Sequence, residues 1–210
     1  MKTTSAAMRK PSKAIFIDKD GTLIDDVPFN VDPRRITLMP GAGQGLRLFR
    51  KMGYQLYVVS NQPGVAFGYF EPSDLDAVSH CISALLHGEG VRINGYYYCP
   101  HHRAGSVAAY SRTCDCRKPE PGLLLRAAEE HHLDLVHSWM IGDILNDIEA
   151  GQRAGCKTVL IDNGHETEWE VSPLRMPHFT AANLLEAAQA LAALPPARSE
   201  RADVMIGAMR

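Results

Sequence analysis

The chain has 210 residues, 45% of them hydrophobic and 22% charged, with a formal net charge of -2. That length suits one α/β domain with a substantial core and is short for two, and the composition excludes a disordered chain. The balance of 22 basic and 24 acidic residues gives no global attraction to nucleic acid or acidic membrane. No apolar run approaches the span of a bilayer, and the N-terminal stretch MKTTSAAMRKPSK lacks the apolar core of a secretory signal. Three of the five cysteines fall between 99 and 116, a pattern of a metal loop in a reducing compartment rather than a disulfide framework. The expectation is a cytoplasmic monomer with an extension over 1–12, a single domain over 13–194 and a tail over 195–210.

Strand and helix patterns alternate along the chain. Residues 13 to 18 read as a buried strand ending in a carboxylate, with Asp18-Lys19-Asp20-Gly21-Thr22 at its tip. Pro28, Pro33 and Pro40 keep 25–40 irregular. Leu46, Leu48, Phe49 and Met52 predict a helix closed by Gly53, and Leu56 to Val59 a second strand running into Ser60-Asn61-Gln62. A helix capped by Ser73 or Asp74 follows to about Leu86, then a third strand over Ile93 to Tyr98. Pro119 and Pro121 introduce a helix over Gly122 to His131. Trp139 to Asp143 is a fourth strand with its tip, Ile144 to Ala154 a helix, Thr158 to Ile161 a fifth strand, and Ala181 to Leu194 the last helix. This alternation predicts an α/β fold: a Rossmann-like, doubly wound, mostly parallel sheet with helices on both faces. In such sheets ligands lie beyond the carboxyl ends of the strands, where Asp18, Ser60 and Asp143 all fall.

Asp18 and Asp20 are two residues apart, so an extended chain points both carboxylates to one face. Such a pair attracts a divalent cation or shares a proton. Together the strand tips resemble the haloacid dehalogenase superfamily of Mg-dependent, aspartate-nucleophile phosphatases. Asp18 to Thr22 is similar to the first motif, Ser60-Asn61 to the second, Lys118 to the third, and Gly142-Asp143 with Asp147 to the fourth. The resemblance covers roughly 13–163 and implies a role for each residue. Asp18 attacks phosphorus and Asp20 serves as acid and then base. Ser60 and Lys118 neutralise the phosphoryl oxygens. Asp18, the Asp20 carbonyl and Asp143 hold Mg²⁺, with Asp147 in support from the same helical side. Only 41 residues separate Asp18 from Ser60, leaving no room for a large helical cap and favouring hydrolysis over phosphoryl mutase chemistry.

Cys99, a histidine at 101 or 102, Cys114 and Cys116 form a Cys-x-His…Cys-x-Cys set suited to a structural, tetrahedral Zn²⁺. Spacing alone leaves both histidines open. Cys81 and Cys156 read as buried apolar side chains. The run Cys-Pro-His-His…Cys-Asp-Cys-Arg-Lys-Pro resembles the D-glycero-D-manno-heptose 1,7-bisphosphate 7-phosphatase family, which implies His101 as the ligand. It also implies Asn61, Gln62 and Arg117 as substrate contacts, a small phosphorylated sugar as the substrate, and no nucleic-acid or membrane partner. A histidinol-phosphate phosphatase, or a capless phosphatase of polynucleotide ends or phosphoproteins, is the competing reading. Three positions depart from the family pattern: Ile24 where Asn is usual, Phe67 where Arg is usual, and Ile144 where Lys is common. Arg103 and Arg112 are the cations at hand to compensate. The other histidines, His165 among them, read as solvated or packing residues.

Overall fold

The structure, a computed structural model, describes residues 10–195. It contains, in chain order, β1 (Ala14–Ile17), α1 (Ala42–Lys51), β2 (Gln55–Asn61), α2 (Gly64–Phe67), α3 (Asp74–Gly88) and β3 (Gly95–Cys99). There follow α4 (Gly122–His131), β4 (Trp139–Gly142), α5 (Leu145–Arg153), β5 (Lys157–Ile161), β6 (Phe179–Ala181) and α6 (Leu184–Ala193). All six strands lie parallel in one sheet, ordered β3-β2-β1-β4-β5-β6. The chain winds outward from β1 to β3, returns through α4, and winds the other way through β4 to β6. The switch between the two directions falls between β1 and β4.

The period of two along each strand sorts side chains into two cores. Ile15, Ile17, Leu56, Val58, Trp139 and Ile141 pack with Leu46 and Phe49 of α1, Ile82 of α3 and Leu184 of α6. Ala14, Phe16, Tyr57, Val59 and Met140 face the other way, onto Leu123, Leu124 and Ala127 of α4 and Ala150 of α5. Burying each large apolar side chain is worth about 1.5–3 kcal/mol relative to leaving it in water. Among the described residues no helix is long and apolar enough to cross a membrane, and no cap domain stands over the sheet.

Several boundaries differ from the sequence expectation. The last helix starts at Leu184 rather than Ala181, because Phe179 to Ala181 pair with β5 as an edge strand too short to show an alternation. The α2 turn was also not expected; it is four residues long, and Gly68 ends it in the left-handed region at φ 73°. At the start of α3, Ser73 makes no capping bond, whereas the Asp74 carboxylate accepts the Glu71 N–H at 2.8 Å. The third strand begins at Gly95 instead of Ile93, since the Asn94 side chain accepts the Leu56 N–H at 2.9 Å and closes the strand's entry. Within the expected 1–12 extension, Ser12 is bridged to Leu133 and so belongs to the folded domain. Residues 1–9 of that extension, and 196–210 of the expected tail, lie outside the described residues.

Candidate active site

Asp18 is the first residue past β1, and its N–H donates to Ile141 O at 2.9 Å, fixing it between the tips of β2 and β4. Its parity is that of Ala14 and Phe16, which aims the carboxylate to the α4 and α5 side of the sheet. There it meets Lys118, which precedes α4. The Lys118 ammonium donates to the Asp18 carboxylate and to Val59 O at 3.0 Å, and lies 2.6 Å from Asp147 Oδ1. Asp147 was expected to share a helical side with Asp143. Ile144 is extended, however, so α5 begins only at Leu145 and Asp143 stands on the strand tip outside the helix. Asp147 is fully buried rather than a solvated helix-face charge, and Gly142 allows its approach: a Cβ there would sit 2.2 Å from Asp147 Oδ2.

Asp18, Asp143 and Asp147 each offer an oxygen, and the three oxygens lie within 4.8 Å of one another. Thr22 Oγ1 donates to Asp143 Oδ1 at 3.1 Å, and His165 Nδ1 lies 2.7 Å from Asp143 Oδ2. Gly21 turns the chain beneath them at φ 76°, and a Cβ there would fall 2.1 Å from Asp143 Oδ2. Burial first, then the charges of Asp147 and Asp20, push the Asp18 carboxyl up to about 7 against the opposing pull of Lys118. Burial and the Asp18 charge push Asp143 up to about 6. Lys118 is also penalised by burial, but Asp147 and Asp18 more than reverse this and keep it protonated. One ammonium thus answers two of the three crowded carboxylates. Asp147 Oδ1, sealed from solvent, has that ion contact but no aligned hydrogen bond. The donor set suits a hard divalent cation such as Mg²⁺.

Asp20 lies outside this trio. β1 ends at Ile17 and the chain bends at Lys19, so strand parity does not carry through to Asp20. Its carboxylate accepts from Lys19 Nζ at 2.5 Å and from Gln62 Nε2 at 2.9 Å. Gln62 also donates to Ser60 Oγ at 2.7 Å, so Ser60, Gln62 and Asp20 form one chain of polar contacts. The Asn61 side chain is occupied differently: it accepts from Lys118 N and donates to Lys118 O, both at 3.0 Å, clipping the lysine's main chain to the end of β2. Arg117 Nη1 reaches His101 O at 3.5 Å and lines a wide cleft of about 770 Å³ with Lys118, Arg103 and Arg112.

Cys99, His101, Cys114 and Cys116 converge as the cysteine spacing predicts, and His101 is the histidine that joins them. Their contacts run from 3.0 Å (Cys116 to Cys99) to 3.7 Å (Cys99 to His101 Nδ1). A tetrahedron of zinc bonds has edges of roughly 3.5 Å, so the cluster is sized for one ion. The thiol of Cys99 and the nearby His101 pull Cys116 down to about 5 despite burial, giving the set a ready thiolate. His102 turns away and packs on Phe67 with the rings tilted by 44° and their centroids 4.9 Å apart. Cys156 is buried as expected, whereas Cys81 is only half-buried, its thiol 3.5 Å from Pro33 O.

The residue sequence reasoning missed is His165, on the loop after β5. The signal was available: that loop leaves the carboxyl end of a strand, as the other site segments do, and its Asn163 donates to Gly21 O at 2.6 Å.

Comparison with known proteins agrees with this arrangement. The HAD-hydrolase-like family model matches residues 115–187. The chain is 39% identical over 158 residues to the D-glycero-beta-D-manno-heptose-1,7-bisphosphate 7-phosphatase of Escherichia coli K12, covering 75% of this chain and 83% of that one. It is 40% identical over 154 residues to the enzyme of the same name from Haemophilus influenzae, covering 73% and 83%. A crystal structure of D,D-heptose 1,7-bisphosphate phosphatase from B. bronchiseptica, complexed with magnesium and phosphate, superposes with a TM-score of 0.74 at 27% identity, covering 86% of this chain and 98% of that one. A HAD-like protein from Mesorhizobium loti superposes with a TM-score of 0.75 at 32% identity, covering 90% and 91%. The chain belongs to the haloacid dehalogenase superfamily, on the branch of its heptose bisphosphate phosphatase relatives, and is a phosphoric monoester hydrolase.

Proposed function

We propose that the chain hydrolyses the 7-phosphate of D-glycero-D-manno-heptose 1,7-bisphosphate through an aspartyl-phosphate on Asp18. The observation that carries the chemistry is the contact of Lys118 with both Asp18, at the tip of β1, and Asp147 of α5. Asp18 attacks phosphorus, and the bond to the sugar oxygen breaks as Asp20 gives that oxygen a proton. Water then attacks the aspartyl-phosphate, losing a proton to Asp20, and phosphate leaves with Asp18 restored. Lys118 faces the charge that moves onto the phosphoryl oxygens, and Ser60 at the end of β2 is assigned to the same task. Gln62 and Lys19 hold Asp20 in orientation, and Asn61 holds Lys118. Asp18, Asp143 and the Asp20 carbonyl would hold Mg²⁺ with Asp147 in support; when bound, that ion offsets repulsion between nucleophile and phosphate.

The substrate reading is supported by the names of the relatives and by the cleft that joins Lys118 to Arg103, Arg112 and Arg117. Three guanidinium groups give a second phosphate charged, bidentate partners despite Phe67 and Ile144 at positions where the family pattern has cations. Cys99, His101, Cys114 and Cys116 would hold a structural Zn²⁺ that orders the approach to Arg117 and Lys118.

Asp18→Asn tests the chemistry. Phosphate release should fall below a hundredth of wild type with an unchanged circular dichroism spectrum, because an amide does not attack phosphorus. Residual turnover above that level, after deamidation has been excluded by mass spectrometry, would remove Asp18 from its role.

A further inference from the structure

The entrance beside Asp20 carries an exposed aromatic cluster. Phe29 is 49% exposed and Tyr69 is 63% exposed, yet their rings pack edge to face with centroids 4.8 Å apart. Phe67 meets both, at 6.3 Å from Phe29 and 5.7 Å from Tyr69, and also packs against the tilted His102 ring. Phe29 is also held at φ 54°, the left-handed region that costs a non-glycine residue roughly 1–2 kcal/mol. Core packing does not explain a strained phenylalanine half in water. The zinc loop braces the cluster from behind: Ser106 Oγ donates to Phe67 O at 3.0 Å, and Ser106 N to Ala66 O at 2.8 Å.

Phe29 shares a cleft of about 250 Å³ with Asp20, and Val27, Pro28 and Pro63 supply more of its wall. The acid that protonates a leaving group must touch that group's oxygen, so the leaving group's carbon skeleton starts in this cleft. The cation lining it, Lys19, is bonded to Asp20, and Asp26 adds a negative charge. The wall therefore offers apolar surface and the Phe29 ring beside the amides of Asn30, Asn61 and Gln62, with no cation left over for a second phosphate, and Tyr69 and Phe67 extend the ring surface outward from Phe29.

We propose that Phe29, Tyr69 and Phe67 form the leaving-group subsite, where a sugar lays a C–H face on the exposed rings. This rests on the assignment of Asp20 as the acid. Aliphatic C–H groups carry slight positive charge and meet the negative ring face favourably while both surfaces leave water. The three rings are thus specificity-determining residues, and selectivity for the carbon skeleton lies on a different wall from the three arginines.

The test compares kcat/KM for D-glycero-beta-D-manno-heptose 1,7-bisphosphate with that for acetyl phosphate, whose leaving group is too small to reach the rings. Phe29→Asn keeps a residue at ease in the left-handed region and Tyr69→Ala alters an exposed side chain, so both should fold. Each should lower the ratio by about 2- to 10-fold, the worth of one ring contact, and Phe29→Tyr should restore it. A ratio unmoved in both variants would overturn the proposal. So would a concentration-dependent mass that Phe29→Asn abolishes without moving the ratio, since the rings would then pair copies of the chain. Failure of the Asp20 assignment shows separately, as equal losses for Asp20→Asn on the heptose bisphosphate and on acetyl phosphate, whose leaving group departs without a proton. Calorimetry with the heptose bisphosphate then decides: weaker binding by both variants upholds the subsite, and equal affinity overturns it.

Discussion

Asp20 and Asp18 are two positions apart in the chain and sit in different electrostatic settings. Asp18 shares a buried ammonium with Asp147, whereas Asp20 is half-exposed and tied to Gln62 and Lys19. If Asp20 is the acid, Asp20→Asn should slow alkyl phosphates by about 10²–10⁴-fold, the usual worth of a proton donor. Aryl phosphates, whose leaving groups depart without one, should slow far less. Steady-state rates on p-nitrophenyl phosphate and a sugar phosphate make the comparison, and equal losses would remove Asp20 from that role. At this scale the residues that meet were legible because Asp18, Lys118, Asp143 and Asp147 fall in a fixed order along the chain. Their contacts were less so. Asn61 reads as a phosphate ligand, yet its side chain is filled by the main chain of Lys118, a residue 57 positions away. His165 was hidden because histidine on a loop is common, and its pairing with Asp143 exists only once β5 lies beside β4.

Elements were legible where an unbroken apolar run or flanking glycine and proline marks them. β1, β2, β4 and α4 declare themselves through apolar runs, glycine and proline. β6 and α2 do not, since three or four residues at an edge or a turn carry no periodicity. The tip of β4 shows how closely element and site are fitted. Gly142 leaves room for the third residue of α5, Asp147, to reach Lys118. A methyl group at 142 would strike Asp147 Oδ2 at 2.2 Å and Cγ at 2.3 Å. Gly142→Ala should therefore cost about 1–3 kcal/mol of stability, the usual penalty of overpacking a filled interior. It should also lower kcat, since Asp147 can yield only by shifting its lysine partner. Urea denaturation with initial-rate kinetics checks both, and a variant unchanged in each would show that Asp147 has room to move.

Across the whole molecule, the loop from Cys99 to Cys116 touches both sides of the entrance. Its far end runs into Arg117 and Lys118, and its middle is bonded to Ala66 and Phe67. Removing one ligand should therefore be felt at a distance. Cys114→Ser should lose zinc, measured by atomic absorption against about one ion per wild-type chain for a closed four-ligand site. It should also lose on the order of 10²-fold in kcat, the effect of displacing a reacting group by ~1 Å. Far-UV circular dichroism should change little, since residues 100–116 contribute no strand or helix. Normal activity in a zinc-free variant would separate the loop from catalysis. The three cysteines were legible from spacing and the histidine only through the family resemblance, while the bracing of Phe67 was not legible, because Ser106 gives no sign of its partner.

Lys118 has one further consequence. Its ammonium is held by Asp18, 100 positions away, by Val59, 59 positions away, and by Asp147 on a helix that follows in the chain. No short stretch of chain contains the site, so it comes into being only when all three segments have docked. A domain that folds cooperatively then has no half-built catalytic centre at equilibrium. Among chains that keep their metals, each molecule either turns over at full speed or is silent. A metal-replete stock that fades on storage consequently holds fewer working copies rather than slower ones, and its specific activity is a headcount of folded chains.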